Sequence, residues 1–273
     1  MPVTILHNPK CGTSRNTLAL IRHFGFDPTI VEYLASPPSR AELEDLIAEG
    51  GLAVRDVVRK KGSPYAELGL AQASDAELLD AMVAHPILIN RPIVASDNGV
   101  ALCRPSDVVL DVLPEQPGND AFKEDGAPFL RDRAIDGNDP ALNAALKAAD
   151  LPTDDLNEAG RHFFAYSTLA GTPVGFAGYE LCGEDALLRS VVVLPEARGH
   201  KAGRNLVPLL AYRALREGAR TAWLLTLHAS AFFEALGYTR KTRAEAPAAI
   251  LATRQAASLC PASAVVMAKS LGF

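Results

Sequence analysis

His7-Asn8-Pro9-Lys10-Cys11-Gly12-Thr13-Ser14-Arg15-Asn16 decides how the front half of this chain is read. The apolar run at 3–6 has the composition of a strand, and a helix carrying Leu18, Ile21 and Phe24 follows, so Cys11 stands where a strand hands over to a helix N-terminus. Unpaired backbone N–H groups at such a place favour a thiolate and attract an oxyanion. His7, Lys10 and Arg15 are expected to add positive charge around the sulfur. Only the thiolate is a good nucleophile, so this setting predicts a reactive cysteine rather than a packing one.

Working outward, Gly25 is placed to stop the helix, and 29–33 reads as a second strand, parallel to the first because a helix separates them. Ser39 with Glu42 and Ser74 with Glu77 each spell a capping box, which predicts helices using Leu43, Leu46 and Ile47 and then Leu78, Leu79, Met82 and Val83, an inserted helical lobe. The chain returns through Asn90-Arg91-Pro92 to a hairpin of strands 93–95 and 100–104 about Asp97-Asn98-Gly99, and Pro105 opens a further helix. Arg59, Arg91 and Arg104 are candidates to hold a tetrahedral oxyanion, since guanidinium forks match such oxygens bidentately; each taken singly also fits a solvated surface arginine. The prolines after Arg91 and Arg104 hold extended backbone, and the Arg91-Pro92 bond is expected to be cis.

A βαβ unit followed by ββα is the order of a thioredoxin-like fold, and Cys11-Gly12-Thr13-Ser14 occupies the C-x-x-S place of a monothiol glutaredoxin. No resolving thiol stands next to Cys11, and Cys103 would serve only if the fold brought it close. These residues resemble the glutaredoxin-coupled arsenate reductase family across 2–126, through the Cys11 loop, Arg59 with Lys60, Gly62 and Tyr65, Asn90-Arg91-Pro92-Ile93-Val94, Cys103-Arg104-Pro105-Ser106, and Phe122-Lys123-Glu124-Asp125-Gly126. The resemblance implies that Cys11 attacks arsenate, that Arg59, Arg91 and Arg104 hold its oxygens, and that His7 favours the thiolate. It places Asn8, Gly12, Thr13 and Ser14 at the substrate, with glutathione displacing the arsenic adduct and glutaredoxin restoring the enzyme. The phosphatase-like arsenate reductases need an arginine where this chain has Thr17, so that lineage does not fit.

The 273 residues, 48% hydrophobic, are enough for a core in each of two domains. The net charge of -5 argues against nucleic acid as a main partner. Cys11, Cys103, Cys182 and Cys260 lack metal-site or disulfide spacing, so free thiols and no metal are expected. No secretory signal and no apolar run near the ~20 residues of a membrane helix are present, which leads to the expectation of a soluble cytoplasmic protein with no membrane partner. Composition shifts at Pro114-Glu115-Gln116-Pro117-Gly118-Asn119-Asp120, placing a linker near 115–128 and domains at 1–127 and 128–273.

In the second half, 129–135 is a candidate strand, Asp139-Pro140 opens an alanine-rich helix, and runs at 162–168, 173–181 and 186–193 predict an antiparallel meander. The segment 191–204 runs from a strand through Arg198-Gly199-His200-Lys201-Ala202-Gly203-Arg204 into a helix, a place where backbone N–H groups cradle a pyrophosphate. This layout resembles the GNAT acetyltransferases, an α+β acyl-CoA N-acyltransferase fold. More narrowly, residues 187–195, Leu224-Leu225-Thr226, 232–238 and Leu259-Cys260-Pro261-Ala262-Ser263-Ala264 resemble the acetyltransferases of arsenic-resistance operons.

That resemblance implies acetyl-CoA held by Val191, Val193 and Arg198 to Arg204; Arg189 and Ser190, at the start of that strand, are candidates to face an acidic acceptor, and fit an exposed charge and an ordinary strand hydroxyl as well. Two departures stand out: Lys201 replaces the first glycine of R-x-x-G-x-G, and Phe233 replaces the tyrosine that protonates the leaving thiolate, with Tyr238, Cys260 and solvent as possible substitutes. His228 reads as a capping or packing residue, and Cys182 and Cys260 as small packing residues. The expected whole is a bifunctional arsenic-detoxification enzyme that makes arsenite and acetylates an amine, for which an amino-bearing organoarsenical is the candidate. Two alternatives stay open at the level of sequence: a reductase whose second domain is an acetyl-CoA sensor or scaffold, and a thioredoxin-like regulatory binding protein, against which Ser14 and the retained arginines argue.

Overall fold

Strand β1 (Val3–His7) is flanked by β2 (Thr29–Glu32), parallel to it, and β3 (Ile93–Ser96), antiparallel, while β4 (Gly99–Leu102) completes the order β2-β1-β3-β4. The parallel pair is possible because α1 (Gly12–His23) crosses over between its strands. The buried face of α1 is Ser14, Thr17, Leu20 and Ile21, rather than the Leu18, Ile21 and Phe24 stripe the sequence suggested. Both capping boxes form, at the starts of α2 (Arg40–Glu49) and α4 (Asp75–Ala84), with the single-turn α3 (Val54–Val57) between them. This lobe buries Leu43, Leu78 and Met82 completely against Tyr33 and Leu88, each apolar side chain contributing roughly 1.5–3 kcal/mol of burial. Arg91-Pro92 is cis, as expected, and Arg104-Pro105 is cis as well. Pro105 leads into a 3-10 turn at Ser106–Asp111 rather than an α-helix.

The computed structural model describes residues 1–116 and 118–272; Pro117, inside the expected linker, and Phe273 lie outside the described residues. The chain divides into two compact units, the second beginning at Asp125. Its seven-stranded sheet has the order β10-β11-β9-β8-β7-β6-β5, built from β5 (Leu130–Ile135), β6 (Arg161–Thr168), β7 (Pro173–Cys182), β8 (Asp185–Val193), β9 (Thr221–Thr226), β10 (Thr239–Lys241) and β11 (Val265–Ser270). The helices are α5 (Pro140–Ala148), α6 (Ala202–Arg216), α7 (Ser230–Ala235) and α8 (Ala248–Ala252). The strands β5 to β8 form the expected meander.

Two irregularities shape the middle of this sheet. On β8, Ser190 and Val191 lie opposite Ala177 alone, a bulge that sets Ser190 at φ +55°. Gly175 is required on the facing strand, because a Cβ there would stand 2.2 Å from the carbonyl oxygen of Val192. The second irregularity is, among the described residues, the only parallel pairing in this sheet: β8 joins β9 just across Asp185–Leu187, after which both strands run on unpaired with each other.

Candidate functional site

In the first unit, three segments converge on Cys11. Cys11 is the N-cap of α1, half-buried, with its own N–H donating to the Asn8 carbonyl at 3.0 Å. Arg59 comes from the lobe, and a short antiparallel ladder fixes it: Arg59 N–H donates to Leu88 and Asn90 N–H to Val57, both at 2.7 Å. Gly62, at φ +64°, leaves room for its guanidinium, since a Cβ there would lie 2.9 Å from Arg59 Nη2. Arg91 and Arg104 extend from the hairpin, where Arg104 Nη1 donates to the Arg91 carbonyl at 3.1 Å. Arg91 is buried, and its Nε and Nη1 have no hydrogen-bond partner among the described residues. A buried guanidinium with unpaired donors is costly unless an anion completes it.

Charge and thiol act on each other here. Burial raises the Cys11 thiol, but the Ser14 N–H, the Arg104 and Arg91 charges and the Thr13 N–H together hold it below its ordinary value. Arg104 also hydrogen-bonds the sulfur. Burial lowers the Arg59 pKa and its neighbours Arg91 and Arg104 lower it further, which is the signature of cations crowded together without a carboxylate between them. Arginine stays charged regardless.

Several expectations are corrected. His7 was expected to add positive charge, yet burial lowers its pKa and favours the neutral ring; Nδ1 lies 2.8 Å from Ser14 Oγ, which accepts the Asn8 N–H at 3.1 Å. His7 therefore shapes the loop rather than charging it. Arg15 spends its charge on Glu124, in a fork of 2.6 and 2.7 Å. Asn8 and Ser14, expected at the substrate, also brace the loop, Asn8 Oδ1 accepting the Lys10 N–H at 2.9 Å, while the Ser14 N–H reaches the Cys11 sulfur. Cys103 is fully buried, and burial pushes its thiol well up, which disfavours the thiolate that resolving an adduct on Cys11 would need. Sequence reasoning missed Tyr33: its buried hydroxyl reaches the Ile89 carbonyl at 3.4 Å and hydrogen-bonds the Asn8 side chain, linking the Cys11 loop to the approach of Arg91. An aromatic residue closing a strand reads simply as core.

In the second unit, the splay of β8 from β9 opens a cavity of about 460 Å³ lined by Leu188, Ser190, Leu225, His228, Gln255 and Cys260 among others. A groove of about 710 Å³ adjoins it, sharing Val191, Ala229 and Phe233, and runs over the start of α6. Arg198, Lys201 and Arg204 line this groove with Val193, Gly199, Ala202 and Gly203, and no acidic side chain does; His200 is exposed and off the wall. The start of α6 has no side-chain cap, so the N–H groups of Ala202 and Gly203 are left for an anion, while that of Arg204 donates to the Lys201 carbonyl at 3.0 Å. Gly203 has no room for a side chain larger than its hydrogen without displacing Phe232, whose ring would lie 3.2 Å from a Cβ.

Arg189 was expected to face an acidic acceptor. Instead it is buried and gripped by Asp155, with Nη1 at 2.7 Å and the neighbouring nitrogen paired as well, and Arg161 joins the same carboxylate. Its charge is neutralised within the protein. His228 neither caps nor packs: it is exposed on the cavity wall, and Thr226 Oγ1 accepts the Ala229 N–H before α7. Phe233 packs edge-on against Phe232 and Tyr238, and the Tyr238 hydroxyl is buried without a hydrogen-bond partner among the described residues, its pKa raised by burial and its side chain outside the cavity wall. Cys260 does line the cavity, its thiol raised by burial and so protonated at neutral pH.

Residues 6–112 match the model of the ArsC family, and residues 158–240 that of an acetyltransferase (GNAT) domain. An arsenate reductase of Rhizobium meliloti is 62% identical over 132 residues, covering 48% of this chain and 94% of that protein. Among solved structures, an arsenate reductase from Vibrio cholerae is 45% identical over 41% of this chain and 98% of its own (TM-score 0.40). An acetyltransferase from Streptococcus agalactiae is 16% identical over 52% of this chain and 98% of its own (TM-score 0.41).

Proposed function

The chain belongs to the ArsC family through its first unit and carries a GNAT acetyltransferase domain in its second, and on that premise we propose that it reduces arsenate and transfers acetyl to an amine. The observation that supports the first activity is the half-buried Cys11 thiol, held below its ordinary pKa among Arg59, Arg91 and Arg104, with donors of Arg91 unpaired. The arginines neutralise the oxygens of arsenate, which otherwise repel an anionic nucleophile. Cys11 sulfur then bonds to arsenic as a hydroxide leaves, protonated to water. The thiolate of glutathione then attacks the Cys11 sulfur of the adduct, arsenite leaves with the two electrons of the sulfur–arsenic bond, and the mixed disulfide of Cys11 and glutathione that remains is reduced by the external thiol carrier glutaredoxin.

The second activity rests on the groove meeting the cavity at the Ser190–Val191 bulge. The cationic wall and uncapped helix start suit the diphosphate of acetyl-CoA, which would bring an activated thioester to that junction. Backbone N–H groups near the bulge polarise the carbonyl, and the acceptor amine approaches from the cavity. With Phe233 in the acid's place, no phenol protonates the leaving thiolate.

An NADPH-coupled assay with arsenate, glutathione, glutaredoxin and glutathione reductase tests the first reading. Turnover is expected for the wild type and its loss for Cys11→Ser with the fold intact; turnover surviving in that variant excludes Cys11 as the nucleophile. Release of free coenzyme thiol from acetyl-CoA, offered amino-bearing organoarsenicals, tests the second.

A further inference from the structure

Among the described residues, Arg189 is the sole lysine or arginine on the wall of the cavity between β8 and β9, and it has no charge to spare. Its side chain is 1% exposed, and both Nη nitrogens hold the Asp155 carboxylate. Arg161 meets that carboxylate at 3.2 Å, Glu180 lies 3.6 Å from both guanidinium groups, and Glu158 joins Arg161 at 2.8 Å while also pairing with Arg254. Three arginines thus face three carboxylates, a balanced set. Burial raises the Asp155 carboxyl, but the hydrogen bonds and charges of Arg189 and Arg161 hold it below its ordinary value, so it stays ionised at neutral pH. An acceptor bringing its own carboxylate or oxyanion would need Arg189 to abandon Asp155, leaving a buried negative charge unpaired. The sole acid on the cavity wall is Asp150, which is exposed and forms no ion pair among the described residues. Leu188, Leu225, Leu259 and Phe233 make much of the remaining wall apolar.

We propose that this cavity takes a primary amine carried on an uncharged apolar body, an aryl or alkyl amine without carboxylate or oxyanion. The proposal narrows the acetyl-transfer reading given above and rests on it. The apolar wall receives the body, and the Asp150 carboxylate draws an alkyl ammonium, which sheds a proton to solvent before attack. The neutral nitrogen then bonds to the thioester carbonyl carbon, the carbon–sulfur bond breaks, and the proton that the nitrogen gives up ends on the coenzyme thiolate. An anionic acceptor meets the Asp150 charge and an Arg189 already committed to Asp155, so repulsion and a missing partner act together against it. For an amino-bearing organoarsenical, this selects the trivalent arsonous acid, uncharged at neutral pH, over the pentavalent arsonate, which is an anion.

Acetylated product, followed by mass spectrometry with the full chain and two matched pairs of amines, tests this: phenethylamine against phenylalanine, and 4-aminophenylarsonous against 4-aminophenylarsonic acid. The wild type is expected to use phenethylamine about a hundredfold better, by kcat/KM, than phenylalanine, and to favour the arsonous acid likewise. Asp155→Asn, which leaves Arg189 a charge to spare, is expected to shrink the first preference about tenfold. Asp150→Asn, whose new side chain tolerates the φ of +53° at that position, is expected to shrink it about threefold, a change that fades as KCl rises. Should Asp155→Asn fail to fold, Asp150→Asn carries the decision. Equal or better use of the anionic member of either pair overturns the proposal, as does a preference that neither substitution changes. No product from any of the four amines overturns it as well when calorimetry shows acetyl-CoA bound; with no binding heat, the acetyl-transfer reading itself falls, and the proposal with it.

Discussion

At the residue scale, the first site is a competition between burial, which resists charge, and guanidinium groups, which favour it on sulfur. Arg91 carries the largest share of unmet hydrogen bonding, so its geometry matters as well as its charge. Arg91→Lys keeps the charge and loses the fork; we expect kcat/KM for arsenate to fall about ten- to a hundredfold, in line with charge-assisted bonds of roughly 1.5–3 kcal/mol, read in the coupled assay. An unchanged value would mean that Arg91 acts as a point charge only. The sequence made Cys11, Arg59, Arg91 and Arg104 legible because each sits in a local pattern of turn, proline or glycine. It hid the pairings of Arg15 with Glu124 and Arg189 with Asp155, since those partners are 109 and 34 residues apart in the chain.

Among the elements, strand and helix ends were readable wherever the chain marks them locally. The capping boxes at Ser39 and Ser74 and the meander from β5 to β8 follow from residue periodicity and turn chemistry. The divergence of β8 from β9 was not readable, because a parallel pairing that stops after Leu187 leaves no local mark in either strand. That divergence opens the cavity, and the bulge beside it depends on Gly175. Gly175→Ala is expected to destabilise the protein by about 2 kcal/mol or more in urea unfolding, since its methyl would collide with backbone rather than with a flexible side chain, and to weaken acetyl-CoA binding. A neutral effect on both would show that β7 and β8 yield freely there.

For the molecule as a whole, each unit has its own buried cluster and its own candidate site. The R. meliloti relative, 94% of which is matched by part of this chain, indicates that the ArsC portion is a unit in evolution as well. The two activities are therefore expected to be separable by point substitution. Cys11→Ser should abolish arsenate turnover and leave acetyl-CoA affinity within about twofold of wild type, as energetically independent sites behave. A large change in that affinity would reveal communication between the sites. The net charge of -5 fits small anions met by local cationic pockets rather than a polyanion met by a basic face.

The central claim is that Cys11 ionises more readily than an ordinary thiol because backbone N–H groups and arginines outweigh burial. A thiol whose pKa is lowered by folding is anionic above that lowered value and loses both reactivity and its share of stability as pH falls through it. The pH dependence of Cys11 alkylation, followed at that residue by mass spectrometry, measures this directly. A midpoint below that of a free cysteine thiol alkylated under the same conditions is predicted, whereas a midpoint at or above it would contradict the account.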